Sequence, residues 1–533
     1  MNIIHEKKST SKGFSTVLIL FVFTHMGCET KMNQSTSQNK EEILYRPNFH
    51  FTPKTNWMND PNGMFYYKGK FHLYFQHNPE DNIWGPMHWG HATSEDLKTW
   101  EEHPIALYPD SLGTIFSGSA VVDYHNTSGF GSLENPPIVA IFTYHNAKAE
   151  QEGSTQFQTQ GIAYSLDEGY SWTKYASNPV IQNPGIRDFR DPKVFWLESE
   201  QKWILTLAAG QETQFYTSKN LKEWKYASSF GEGIGNHDGV WECPDLFPLS
   251  LSETNEVKWV HLVSINPGGP NGGSATQYFV GDFDGKAFTL DSKFEKELEK
   301  EHTFWTDYGK DNYAGVTFSN WTEKSGNVLY LGWMSNWEYA TKVPTTIWRS
   351  AMTTARELKL TKTKTGYRLL SLPDQNWASF SVNQFIQPSR KISKRENLLP
   401  KGTVNLSKAE LTFELHKLKS ESYSFILSND IGEELSFGLD FSKNQYFIDR
   451  KNTGNVSFSE TFASKPSIAP RFETLDKMTL TALFDKTSVE LFFDNGKTVM
   501  TELFFPNAPF NQLDLVTDGL GAELIQFKVI ALH

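Results

Sequence analysis

The chain has 533 residues, several times a typical domain length, so its core is expected to be shared between at least two domains. Its 50 Lys and Arg against 62 Asp and Glu leave a net charge of −12, which argues against nucleic acid or an anionic membrane surface as the main partner. With 16 Trp, 20 Tyr, 40 Phe and 37 Gly it is too aromatic for a disordered chain and leans all-β, while two cysteines, Cys28 and Cys243, exclude a disulfide framework or a Cys-based zinc site.

The first segment in chain order is an address. Lys7, Lys8 and Lys12 precede the apolar residues 14–24 (FSTVLILFVFT), a run of signal-peptide length that is too short to span a bilayer as a stable anchor. Gly27 and Cys28 follow, and the whole resembles a lipoprotein export signal with cleavage before Cys28 and acylation of its thiol, although His25 stands where such signals prefer Leu. On this reading residues 1–27 are removed, the lipid on Cys28 is the sole membrane contact of an exported protein, and the polar residues 28–44 form a flexible tether.

From Tyr45 onward a weak repeat appears, in which a strand ends in Ser, an acidic or Asn-containing turn follows and Trp restarts the next strand. It reads Ser94 to Trp100 (SEDLKTW), Ser165 to Trp172 (SLDEGYSW) and Ser218 to Trp224 (SKNLKEW), with a looser copy at residues 281–288. The spacing, roughly 50 to 70 residues, suits four-stranded blades with long loops, and residues 45–364 would hold five of them. No long amphipathic helix is expected to interrupt them. Residues 365–390, rich in Ser, Pro and Gln, read as a linker. Residues 391–533 then alternate with period 2 in short strands at 409–416, 422–427, 435–441, 478–484, 488–493 and 524–531, separated by Asn-Asp-Ile-Gly and Asp-Asn-Gly turns. The fold class expected is therefore all-β, a five-bladed propeller followed by a C-terminal β-sandwich.

Three acids stand in unusual company: Asp60 in W-M-N-D-P-N-G, Asp191 in F-R-D-P and Glu242 in W-E-C-P-D. Each lies beside Pro and an aromatic at the start of an apolar strand. In a propeller the innermost strands of successive blades face one channel, so the three can converge, and two carboxylates flanking a glycosidic bond are the minimum for glycoside hydrolysis. The competing reading is that Asp-Pro and Asp-Pro-Asn-Gly are turn-formers.

Taken together the three segments resemble the motifs of glycoside hydrolase family 32, the β-fructofuranosidases. The resemblance extends to Phe116-Ser117-Gly118, to W-G-P-M-H-W-G-H (84–91), to G-W-M-S-N-W-E-Y (332–339) and, in the sandwich, to D-K-T-S-V-E-L-F (485–492). It implies a five-bladed propeller with a sandwich behind it, Asp60 as nucleophile, Glu242 as general acid/base and Asp191 as a transition-state stabiliser. Glu242 must stay protonated until the leaving oxygen departs, and burial beside Trp241 and Cys243 together with the charges of Asp60 and Asp191 is expected to favour that. Arg190 is expected to hold Asp191. Asn59, Gln76 and Ser117 would offer neutral hydrogen bonds to furanose hydroxyls, and Trp84, Phe116, Trp333 and Trp337 would wall the site, with blade packing as the alternative for any one Trp.

His72, His77, His88 and His91 invite a metal reading, but period 2 sends His88 and His91 to opposite faces, so hydrogen-bonded or rim histidines are expected and no metal or other cofactor is implied. Residues 266–273 (NPGGPNGG) lack a following Lys-Ser/Thr and read as a blade hairpin, not a phosphate loop. Cys243 reads as a small buried neighbour that tunes Glu242. The function implied is a retaining hydrolase that releases terminal β-D-fructofuranosyl units from levan, inulin, fructooligosaccharides and sucrose. A fructosyltransferase and a non-catalytic glycan-binding lipoprotein are the rivals. The sandwich reads as structural, with a fructan contact as the alternative.

Overall fold

A computed structural model describes residues 41–532 except 252, 253, 255, 302, 322–327 and 365. The export signal, Cys28 and the first part of the tether lie outside the described residues. Residues 41–44 depart from the tether reading: they are helical, and the Glu41 carboxylate accepts the Thr346 N–H at 2.7 Å.

The strands before residue 374 form five sheets among the described residues, each built in sequence order from the inside outward. Their innermost strands are Asn56–Tyr67, Thr114–Val122, Phe189–Leu197, Val240–Ser250 and Tyr313–Thr317. Each of these packs against the next, and the fifth returns to the first, closing a propeller ring. The first sheet also receives a short late strand, Trp348–Arg349, which pairs parallel to Asn56 and Trp57. Second strands such as Ile138–His145 and Lys202–Ala209 are buried throughout because neighbouring sheets cover both their faces.

The sequence repeat is the turn between the third and fourth strands of the first three sheets. Ser94, Ser165 and Ser218 end the third strand, and each Oγ accepts a backbone N–H across the turn, from Leu97 at 2.7 Å, Gly169 at 2.9 Å and Leu221 at 2.9 Å. Trp172 and Trp224 donate Nε1–H back to the carbonyls of Gly169 and Leu221 at 3.1 and 3.0 Å, which pins the start of the fourth strand. A side-chain oxygen thus satisfies the donors that the turn withdraws from the ladder. The looser copy, residues 281–288, occupies the same connection in the fourth sheet, between Ala275–Phe283 and Phe288–Leu290.

Two expectations fail here. A ten-residue helix, Ser292–Glu301, does interrupt the propeller; it buries Phe294, Glu297 and Leu298, with Glu297 bonded to Arg368 at 2.8 Å. The linker is also much shorter than residues 365–390, because Tyr367–Pro373 is the outer strand of the fifth sheet and Ser381–Gln387 is already a strand of the sandwich, paired with Ala522–Leu532.

The sandwich packs one sheet containing Lys408–His416, Lys477–Asp485, Ser488–Phe493 and Thr498–Leu503 on another containing Ser422–Ser428, Glu434–Asp440 and Gln445–Asn452. Lys408–His416 alternates buried and half-buried along its whole length, as a strand with one face on a core must. Buried ion pairs join the sandwich to the propeller. His50 lies between Asp485 and Glu490 at 2.9 and 2.8 Å, and Arg356 donates to Asp307 of the propeller at 2.8 Å and to Glu490 of the sandwich at 2.9 Å.

Candidate active site

All five inner strands lose register with their second strands near their N-terminal ends. The ladder skips between Met58 and Pro61, Ile115 and Gly118, Arg190 and Lys193, Glu242 and Asp245, and Tyr313 and Val316. In three of the five the cause is legible, since Pro61, Pro192 and Pro244 have no N–H to give the ladder. Gly118 and Gly315 mark the other two; a Cβ on Gly118 would run into the Ile141 carbonyl. A bulge turns a side chain out of the strict alternation. Here it delivers Asn59, Asp60, Phe116, Ser117, Asp191, Glu242 and Tyr313 to one end of the ring. Asp191 and Cys243 have φ of 65° and 46°, left-handed conformations that the surrounding bonds must hold in place.

Asp60 accepts from Ser117 Oγ at 2.7 Å and from Asn59 Nδ2 at 3.0 Å, and Asn59 is itself fixed by Trp57 Nε1 at 2.7 Å. Asp191 accepts the backbone N–H of Cys243 at 3.0 Å, and the Cys243 Sγ lies 3.6 Å from both Asp60 Oδ2 and Asp191 Oδ2. Glu242 takes two bonds from Arg190, Nη2 at 2.7 Å and Nε at 3.2 Å, and a third from the Tyr313 hydroxyl on its other oxygen. Gln76 donates to Asn62 at 2.7 Å and to the Ile115 carbonyl at 3.1 Å.

Burial, then the neighbouring Glu242, push the Asp60 pKa up, while the bonds from Ser117, Asn59 and Cys243 favour its charged form. Asp191 is raised in the same way, by burial first, with Arg190 opposing and Glu242 and Asp60 adding. Burial and the surrounding carboxylates hold the Cys243 thiol and the Tyr313 phenol well above their ordinary values, so both remain protonated donors.

Asn59, Asp60, Gln76, Ser117, Arg190, Asp191 and Glu242 line one pocket of about 300 Å³, together with Trp84, Phe116, Trp337, His145, Glu150, Phe157, Gln158, Asp188 and Asn266, while Cys243 and Tyr313 stand behind it, bonded to those carboxylates. Three expectations change. Trp333 is fully buried behind Trp337, at 5.0 Å between ring centroids, so it backs the wall and does not line it. The short bonds of Arg190 go to Glu242 and to Asp188 at 2.6 Å, with Asp191 3.9 Å away, so it chiefly grips Glu242. The Cys243 thiol points at Asp60 and Asp191, not at Glu242. Of the histidines, His72 and His91 bond each other at 3.1 Å, while His77 and His88 bond the carbonyls of Trp57 and Pro86. Among the described residues no group of three or more His, Cys, Asp or Glu is arranged to hold a metal ion.

Sequence reasoning missed Tyr313 and the wall residues His145, Glu150, Phe157, Gln158, Asp188 and Asn266. Tyr313 has no flanking Pro to mark its bulge. For Asp188 the available signal is its place two residues before Arg190, with which it pairs.

A ring of strands that aims Asp60, Asp191 and Glu242 into a single polar pocket, beside Arg190 and two further carboxylates on its wall, is a frame suited to glycoside hydrolysis. Residues 50–373 match the N-terminal domain of glycosyl hydrolases family 32 and residues 380–531 its C-terminal domain. The chain belongs to glycosyl hydrolase family 32. A levanase from Bacillus subtilis is 45% identical over 92% of this chain and 70% of its own length. An extracellular exo-inulinase from Aspergillus niger is 40% identical over 91% of this chain and 94% of its own. The crystal structure of exo-inulinase from Aspergillus awamori superposes with a TM-score of 0.82 at 36% identity, covering 92% of this chain and 98% of that one.

Proposed function

We propose that the chain is an exported β-fructofuranosidase that releases terminal fructosyl units from levan, inulin and fructooligosaccharides, and from sucrose, with retention at the anomeric carbon. The observation that carries this reading is that Asp60 and Glu242, 182 positions apart in sequence, open into one pocket with Asp191 linked to both through residue 243. The levanase and exo-inulinase relatives support the choice of fructan.

The chemistry follows from the placement. Ionised Asp60 attacks C2 of the terminal fructose as the C2–O bond breaks, and the departing oxygen takes a proton from Glu242. Positive charge shared between C2 and the ring oxygen is met by Asp60, while Asp191 accepts hydrogen bonds from ring hydroxyls. Glu242 then removes a proton from water, which attacks C2 of the ester and returns Asp60 to its charged form. Arg190 and Tyr313 fix the two oxygens of Glu242, so the group that changes protonation twice keeps one orientation. Trp337, stacked on Trp57 at 5.7 Å, and Phe116 offer apolar faces to the C–H edges of the sugar.

Asp60→Asn and Glu242→Gln should each lower fructose release from levan and inulin by on the order of a thousandfold with the circular dichroism spectrum unchanged. Near-normal release by either variant reassigns that residue, and a first product seen by NMR as the α anomer removes retention. A lipid on Cys28 would hold the enzyme at the membrane it crosses. Partition of the exported protein into a detergent phase reads this, and recovery entirely in the aqueous phase rules it out.

A further inference from the structure

One wall of the pocket is built by a single connection of the second sheet, residues 146–157, which joins Ile138–His145 to Gln158–Ser165. Asn146 caps its short helix Ala147–Gln151 through the Ala149 N–H at 3.0 Å, and the helix presents Glu150 to the pocket. Both oxygens of Glu150 are fixed. Oε1 accepts from Arg187 Nη2 at 2.9 Å, and Oε2 faces His145 Nε2 at 3.2 Å.

The ring of His145 is fixed in turn. It stacks on Phe116 at 4.2 Å with 2° between planes and meets Phe157 edge-on at 5.3 Å. Gln158 Nε2 lies 3.4 Å from His145 Nδ1, an amide donor facing Nδ1, which leaves Nε2–H to donate to Glu150. Trp84 adds to the aromatic row, meeting Phe116 edge-on at 6.0 Å. The chain of contacts also runs inward, because Arg190 lies 3.5 Å from Gln158 Oε1 and grips Glu242 at 2.7 Å.

That connection settles which part of a substrate the wall meets. Glu242 protonates the glycosidic oxygen, so the sugar that leaves lies on the Glu242 side, and the Arg190–Gln158–His145–Glu150 chain starts there and leads to the rim. An ionised carboxylate accepts about four hydrogen bonds. Glu150 has spent two within the protein, and those two hold the remaining acceptor directions at the pocket surface. A neutral polyhydroxylated leaving group is the chemistry that fits them.

Resting on the fructosidase reading, we propose that Glu150, held by His145 and Arg187, is the specificity-determining acceptor for hydroxyls of the leaving sugar, with the Trp84–Phe116–His145 row as its apolar face. The sugar bound is the one immediately beyond the scissile bond, and its binding is maintained into the transition state.

The test compares two substrates with the same fructosyl group, an inulin-type trisaccharide, whose leaving group is a hydroxylated sugar, and methyl β-D-fructofuranoside, whose leaving group carries no hydroxyl to bind. In Glu150→Ala the ratio of kcat/KM for trisaccharide over methyl fructoside should fall about tenfold or more, the usual penalty for losing a bond to a charged acceptor. Glu150→Gln, which retains one acceptor oxygen, should fall between. A ratio that stays at the wild-type value, whether both substrates decline together or neither does, overturns the proposal, and the methyl fructoside rate shows that the variant is folded. A wild-type enzyme that releases fructose from neither substrate would instead end the fructosidase reading.

Discussion

Asp60 is held between opposed influences: burial and Glu242 raise its affinity for a proton, while Ser117, Asn59 and Cys243 lower it by bonding to the charged form. On the proposed mechanism Asp60 attacks as the ionised carboxylate, so this balance should set the acid side of the rate profile. Removing the Ser117 hydroxyl takes away a 2.7 Å bond that favours ionisation, so Ser117→Ala should move the acid limb of kcat/KM to higher pH and leave the alkaline limb in place. At the optimum the loss should be no more than about tenfold. An acid limb that stays put or moves down, followed on sucrose from pH 3 to 8, would show that Ser117 does not act through Asp60. At this scale the three acids were legible because Pro and aromatic neighbours set them apart from solvated carboxylates. Which of Trp333 and Trp337 faces the pocket was not, because it depends on the strand Val328–Met334 turning Trp333 into the ring and ending before Trp337.

The elements explain why so much of the site could be read. A proline inside an apolar strand is costly unless the ladder is interrupted there, so the Pro after Asp60, Asp191 and Cys243 was a mark of a bulge, although it was equally consistent with a turn. The fifth inner strand interrupts its ladder with Gly315 and gave no such mark, which is why Tyr313 went unseen. Strands with one wet face were readable from alternation: Lys408–His416 and Ser422–Ser428 alternate along their whole length and lie within one residue of the bounds expected of them. Tyr367–Pro373 was not, because its Ser and Pro suggested a linker while its burial depends on a partner far away: Arg368 is covered by Glu297 of the helix Ser292–Glu301. Composition records what a segment is made of, and burial here is decided by what lies on top of it.

At the scale of the molecule, the joint between propeller and sandwich is a set of buried charges, and its pH response follows from their shifts. Burial alone would lower the His50 pKa, but bonds to Asp485 and Glu490 outweigh it and raise the value from 6.5 to about 9. A group raised on folding contributes fully below its unfolded value and loses that contribution as pH climbs through the folded one. Glu490 is lowered to about 2, chiefly by Arg356 and His50 against burial, so its contribution is present above the ordinary carboxylate range and lost toward pH 2. Stability to urea should therefore fall between pH 6.5 and 9, by roughly 2 to 4 kcal/mol from His50 alone. His50→Asn should lower stability at pH 6 and flatten that slope. A variant with the wild-type slope would mean that His50 is not the titrating group.

The short strand Trp348–Arg349 beside Asn56 and Trp57 has a consequence for how the enzyme is made. The first two residues of the strand that carries Asp60 pair with a partner almost 300 positions downstream, so a chain emerging amino end first cannot make this fastening until most of it has been delivered. Partly synthesised or prematurely clipped copies that end before residue 348 would lack that fastening, and should therefore cut nothing.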